Sequence, residues 1–249
     1  MTWVESHSLS FSARHEDSQA DDAATILDAL ESFRARLDGV FERTPYEVAV
    51  IIHPRAVMLA LAHPWLPLAR MIADPASRRY FAGWFSSREI HVLAPPALEE
   101  RASGVEGSRE ALLLTPQHEY AHLVVGANNP DMPPPFTPGS FRRYVRWAWL
   151  CEGAAGHFSG QTPHLRAAIV RRLHEGGRPE LPPPARDAQL LGGTVFSLLE
   201  MQEGRDAAVA LAMSRDSEGP RRALEGAFGR SLAAIRAEWR DYLGSLRAA

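Results

Sequence analysis

Two hydrophobic periods alternate along the first half of the chain. Residues 3–12 alternate loosely, as a strand does, whereas residues 21–41 set Ile26, Leu27, Leu30, Phe33, Leu37 and Val40 at helical spacing. The β-branched run Val48-Ala49-Val50-Ile51-Ile52, bounded by Pro45 and Pro54, predicts a buried strand over 47–53. Residues 58–72 read as broken helical material, since His63, Pro64 and Pro67 interrupt the apolar run 56–69. Residues 88–94 alternate again and stop at Pro95-Pro96, which predicts a further strand with His91 exposed on it. A helix is expected after Thr115, with Thr115 as its N-cap, Pro116 in its first turn and Gly126 just past its end. The almost wholly apolar stretch 145–155 predicts a buried helix. Beyond Gly160 the spacing predicts helices over 163–175, 192–203, 206–214, 220–228 and 231–246, with the longest linker marked by Gly176-Gly177 and Pro182-Pro183-Pro184. The pattern is that of one domain, 1–249, of the α+β class. A small mixed α/β layer (1–126) precedes a mainly helical half (127–249), with a cleft between them.

The predicted helix after Thr115 carries the candidate chemistry. His118-Glu119-Tyr120-Ala121-His122 spells H-E-x-x-H, and a spacing of four puts both imidazoles on one helical face, roughly 6 Å apart along the axis. Two ring nitrogens can then converge on one metal ion, and Glu119 lies where its carboxylate reaches a water at the metal. A catalytic zinc site takes three protein ligands and keeps a fourth position open. Between His122 and Glu152 the sequence holds no histidine, and Asp131 is its only acidic residue. The metzincin arrangement is excluded, because Val125 and Asn128 stand where it needs glycine and histidine. Asp131 lies in a loop rich in asparagine and proline, the setting of a turn former, and stays the second choice. Glu152, inside the apolar stretch, needs a partner for its buried charge, and a metal would supply one.

H-E-x-x-H followed by Trp149-Leu150-Cys151-Glu152-Gly153-Ala154-Ala155 resembles the gluzincin metallopeptidases, particularly the small peptidase MA-like or minigluzincin proteins, with a distant likeness to the catalytic core of the M1 aminopeptidases. The resemblance is most specific over 115–126 and 147–160, and it extends to the stretch 223–239. It implies a zincin-like fold, one Zn²⁺ per chain held by His118, His122 and Glu152, and Glu119 as general base in peptide hydrolysis. The family often places an oxyanion-binding tyrosine after the third ligand. Here the only later tyrosine is Tyr242, in a terminal amphipathic stretch that reads as core or surface. His157 is therefore the first candidate for the oxyanion donor, with Tyr144, His164 or an arginine as the next. Two other classes remain open: a non-catalytic zinc-binding module, and a zinc hydrolase of a non-peptide amide.

Composition narrows the partners. A net charge of −3 gives no electrostatic case for nucleic acid or an anionic membrane. All 27 basic residues are arginine and scattered, which reads as coding bias; Arg142, Arg143 and Arg146 form one basic face that could hold a substrate carboxylate. The single cysteine, Cys151, cannot pair within the chain, and free cysteine is usually a small buried hydrophobe. Residues 1–20 show no apolar signal-peptide core, and no apolar run is long enough to span a bilayer. The expected setting is the cytoplasm, and the expected partner a peptide or protein substrate.

Overall fold

The computed structural model describes residues 2–63, 65–215, 217 and 219–248, and it turns the strand expected at 3–12 into a hairpin. β1 (Trp3–His7) and β2 (Phe11–Glu16) pair antiparallel, Trp3 opposite Glu16 and His7 opposite Ser12. The reversal is held by Ser8 N donating to Phe11 O at 2.9 Å, and by Glu31, which accepts from the Ser8 hydroxyl at 2.7 Å and from Ser10 N at 2.5 Å. A period of two hides such a turn, because the alternation resumes on the far side with Phe11, Ala13 and His15 buried.

There follow α1 (Ala20–Asp38), β3 (Val48–His53), α2 (Ala56–Ala62), α3 (Trp65–Ile72), β4 (Gly83–Phe85) and β5 (Glu89–Leu93). The five-stranded sheet has the order β1-β2-β3-β5-β4. β2, β3 and β5 run parallel, with Val50 opposite Ala13 and Ile90, and β4 runs antiparallel to β5, Phe85 opposite Ile90. The strand at 88–94 is therefore internal, and the sheet's free edge on this side is β4. Against one face lie Ile26, Leu27, Leu30 and Phe33 of α1, packed on Phe11, Val48, Val50 and Ile52 in the first hydrophobic core.

The rest of the described chain is helical: α4 (Pro95–Arg101), α5 (Ser108–Leu113), α6 (Thr115–Asn128), α7 (Pro138–Arg146), α8 (Ala148–Phe158), α9 (Arg166–Glu175), α10 (Ala188–Glu203), α11 (Arg205–Ala212), α12 (Gly219–Phe228) and α13 (Leu232–Ala248). Strands before residue 94 and helices alone after it make a mixed α/β architecture in keeping with the α+β expectation. No helix among the described residues is long and apolar enough to cross a membrane.

Two boundaries differ from expectation for physical reasons. Thr115 lies inside α6, its hydroxyl donating to Leu112 O at 2.6 Å, because α5 runs almost directly into α6. Gly126 does not end that helix, which continues to Asn128. The glycine is needed for close approach instead: a Cβ there would lie 2.6 Å from Pro133 O. The apolar stretch 145–155 is likewise two helices, broken at Trp147.

α6 is the partition between the two cores. Tyr120, Leu123 and Val124 enter the sheet core, and Val125 enters the second core, built around Trp147, Trp149, Leu191, Phe196 and Trp239. α8 and α10 touch backbone to backbone: a Cβ on Gly153 would sit 2.6 Å from Gly192 C, and one on Gly192 2.5 Å from Trp149 O. Trp239 Nε1 donates to Thr194 Oγ1 at 2.9 Å, so the last helix is fixed to α10. Buried Arg172 makes a bidentate pair with Asp187 at 2.6 and 2.7 Å, which anchors α9 to the start of α10.

Candidate metal centre

The four-residue step on α6 does what helical geometry requires: His118 and His122 share a face, and that face meets Glu152 on α8. His118 Nε2 lies 3.3 Å from Glu152 Oε2 and 3.2 Å from His122 Nε2, while His122 Nε2 lies 3.7 Å from Glu152 Oε1. One ligand atom from each residue falls within 4.8 Å of the others, and all three side chains are buried. This group could hold a metal ion. The Phe85 ring of β4 stacks on His122 at 4.1 Å between centroids, with 16° between planes, and so holds the imidazole's orientation.

Glu119 projects beside the triad toward β4. A Cβ on Gly83 would overlap Glu119 Oε1 and lie 2.6 Å from its Cγ, so the carboxylate lies directly against the strand backbone. Tyr144, in the last two turns of α7, donates its hydroxyl to Glu152 Oε1. Leu66, Ile72, Tyr80, Trp84, Phe141, Val145 and Gln189 complete a largely apolar cleft over Glu119 and the triad.

The electrostatics are those of acid groups pressed together out of water. Burial, then the neighbouring Glu152 charge, pushes the Glu119 carboxyl well above the usual range. Burial also pulls against the Glu152 charge, yet His122, His118 and the Tyr144 hydroxyl together hold that carboxyl below its ordinary value. Burial keeps His122 neutral, at about 3, the state in which imidazole ligates a metal. Burial, followed by Glu152, raises the Tyr144 hydroxyl, which stays a proton donor. Neither arginine nor lysine appears among the described residues lining the cleft.

Several residues singled out by sequence lie elsewhere. His157 is turned to α10, where Nε2 meets Glu200 Oε2 at 2.6 Å and Nδ1 lies 3.4 Å from Ser197 Oγ. Five residues past Glu152, on a helix that runs unbroken to Phe158, it is carried onto another face, so the oxyanion role falls away. Asp131 stays in its turn: its backbone N donates to Asn129 Oδ1 at 3.1 Å and its carbonyl accepts from Arg143 Nε at 3.1 Å. That bond aims Arg143 away from the cleft, and neither Arg142 nor Arg146 lines it. His164 lies beside Gly107, Tyr242 packs at the rim of the helical core, and Cys151 is buried with its thiol 3.5 Å from Met132 Sδ. Burial, then Glu152, raises that thiol far above its ordinary value, which disfavours the thiolate form that a nucleophile needs. His91 is not an exposed strand residue. It is enclosed by His53, whose Nε2 lies 2.9 Å from its Nδ1, by Glu89 at 2.6 Å, and by the edge of His63.

Sequence reasoning missed β4 and gave Tyr144 only a reserve place. Three residues are too few for a periodic signal, so β4 left no trace. α7 did leave one: Thr137-Pro138 repeats the cap-then-proline pattern of Thr115-Pro116, and the Thr137 hydroxyl does cap Ser140 N, at 3.1 Å. Comparison with protein-family models, curated proteins and solved structures finds no match to this chain.

Proposed function

We propose that the protein is a zinc-dependent peptidase of the gluzincin kind, on a zincin-like fold. The observation that carries the reading is the convergence of two buried imidazoles and two buried carboxylates on the floor of an apolar cleft. No arginine or lysine of the described lining offsets the carboxylates, and a divalent cation would neutralise both. Two histidines and one glutamate are a donor set for catalytic zinc, with room left for a substrate group. When bound there, zinc supplies Lewis acidity toward a carbonyl and lowers the pKa of water.

The chain's own residues do the rest. Glu119, one step from His118, takes a proton from the attacking water and returns it to the leaving nitrogen. Tyr144, whose hydroxyl donates to Glu152, lines the same cleft, and by turning that proton away from Glu152 it would meet charge developing on the carbonyl oxygen. The free edge of β4 offers backbone groups to an extended peptide beside Glu119. A buried thiol that cannot pair within the chain suits a reducing compartment such as the cytoplasm.

Elemental analysis of the purified protein, paired with Glu119→Gln and Glu152→Ala variants, tests this reading. One zinc per chain is expected in the parent protein and in Glu119→Gln, with zinc lost from Glu152→Ala. Peptide hydrolysis by Glu119→Gln is expected to fall by about 10²-fold or more. Undiminished hydrolysis by that variant, or metal content unchanged in Glu152→Ala, overturns the proposal; zinc without turnover in the parent leaves a binding module.

A further inference from the structure

We infer that the cleft takes an uncharged, apolar segment from the interior of a peptide, so that the enzyme is an endopeptidase for hydrophobic sequence rather than a remover of terminal residues. The inference rests on the peptidase reading and adds its substrate class. An enzyme that trims chain ends must pair the terminal ammonium or carboxylate with an opposite charge, because a lone charge moved into an apolar, water-poor cleft loses its hydration with nothing to replace it.

No such partner is at hand among the described lining residues. Glu152 is engaged by both histidines and by Tyr144, and Glu119 is pressed against Gly83. For a terminal carboxylate the lining offers no arginine or lysine. Arg70, on the α3 wall, is turned to the Phe81 carbonyl, which it meets with Nε at 3.0 Å and Nη2 at 2.5 Å. Charged ends must therefore stay in water, which leaves an interior bond over the triad.

The mouth continues the same chemistry outward. Ile72 on α3, and Phe141 and Val145 on α7, line the cleft yet are 63, 53 and 50% exposed, an apolar rim that an apolar side chain would cover. On the floor, Trp84 and Phe85 belong to the open-edged strand β4, along which an extended chain can continue in both directions. Hydrolysis of an interior bond needs only water as co-reactant. Its oxygen and one hydrogen go to the carbonyl carbon, its other hydrogen goes to the nitrogen, and the resulting carboxylic acid and amine exchange a proton to become a carboxylate and an ammonium.

The test uses the zinc-loaded protein and ten-residue peptides with one leucine- and phenylalanine-rich core. One has free ends, one has acetylated and amidated ends, and one has blocked ends with aspartate and lysine in the core. Mass spectrometry is expected to show the first two cut inside the core at rates within about threefold of each other, and the third cut about 10²-fold more slowly. Release of single residues from free ends only, or equal rates with the charged core, overturns the inference.

Calorimetry on Glu119→Gln reads binding without turnover. The blocked apolar peptide is expected to bind with a negative heat-capacity change, about tenfold more weakly when Ile72→Asp is added at the exposed rim. If that peptide does not bind, the substrate class is wrong even where other peptides are cut. Binding that fits these expectations while no peptide is cut leaves the cleft's ligand class standing and overturns the peptidase reading.

Discussion

Glu119 and Glu152 are two buried carboxyl groups on α6 and α8 whose neighbours push their proton affinities in opposite directions. The histidines and the Tyr144 hydroxyl favour the charged form of Glu152, the form a metal ligand needs; Glu119 has no such partners, and its burial beside Glu152 favours the protonated form. Tyr144 links the two roles, since it steadies Glu152 and also faces the cleft. Tyr144→Phe is expected to lower kcat by about 10²-fold, the usual loss of one oxyanion donor, with zinc affinity changed far less. Zinc titration beside steady-state kinetics separates the roles, and a loss of affinity as large as the loss of rate would make Tyr144 only a support for its ligand. His157→Ala is expected to leave turnover unchanged and to cost about 1 kcal/mol of stability in a denaturant titration, through its broken pair with Glu200. A drop in rate with stability kept would return His157 to the chemistry.

Among the elements, the pairing of α8 with α10 sets where Glu152, the third candidate ligand, stands. Gly153 directly follows Glu152 and lies against Gly192, so helix separation and ligand position are coupled. Gly153→Ala must push one helix backbone away from the other rather than move a flexible side chain. Overpacking of that kind typically costs about 1–3 kcal/mol, and here it also carries Glu152 away from His118 and His122. A lowered midpoint in urea together with weaker zinc binding is expected; a variant with parent-like values for both would show that the helices can separate without moving the site. The motif W-L-x-E-G-x-A was legible as sequence, and some of its meaning is mechanical, since its glycine makes room for a partner helix that lies some forty residues later.

At the scale of the whole molecule, the sheet and the cleft wall are joined through a histidine cluster. His53 on β3 and His91 on β5 lie side by side, and His63 packs against His91 and stacks on Trp84 at 5.4 Å. Burial, then charge repulsion from a neighbouring histidine, lowers each to about 4 from 6.5, with Glu89 partly opposing the shift at His53 and His63. The unfolded chain therefore takes up these protons first as pH falls. The contribution of these three groups to stability is greatest above about pH 6.5, declines as pH falls toward 4, and falls no further below that. Thermal unfolding of metal-free protein between pH 4.5 and 8 is expected to show this decline, with a shallower slope in His91→Gln; identical slopes would remove the cluster from the account. Zinc should raise stability at neutral pH, by about 4 kcal/mol at a thousandfold excess over Kd.

The sequence by itself determined whatever depends on near neighbours in the chain. Helical spacing placed His118 and His122 on one face, a β-branched run marked β3 and an alternating run marked β5, and the absence of other acidic or histidine residues between His122 and Glu152 limited the third candidate ligand to Asp131 or Glu152. Only the tertiary structure decided what depends on where separate elements meet. A three-residue strand became the edge of the sheet because β5 was there to pair with it. Glu152 rather than Asp131 came to the histidines because glycines let α8 and α10 close on one another. Tyr144 rather than His157 faced the cleft because the chain breaks at Trp147 but not at Gly156. Periodicity reports which face of an element is buried, and the identity of the partner across that face is fixed by packing between residues far apart in sequence.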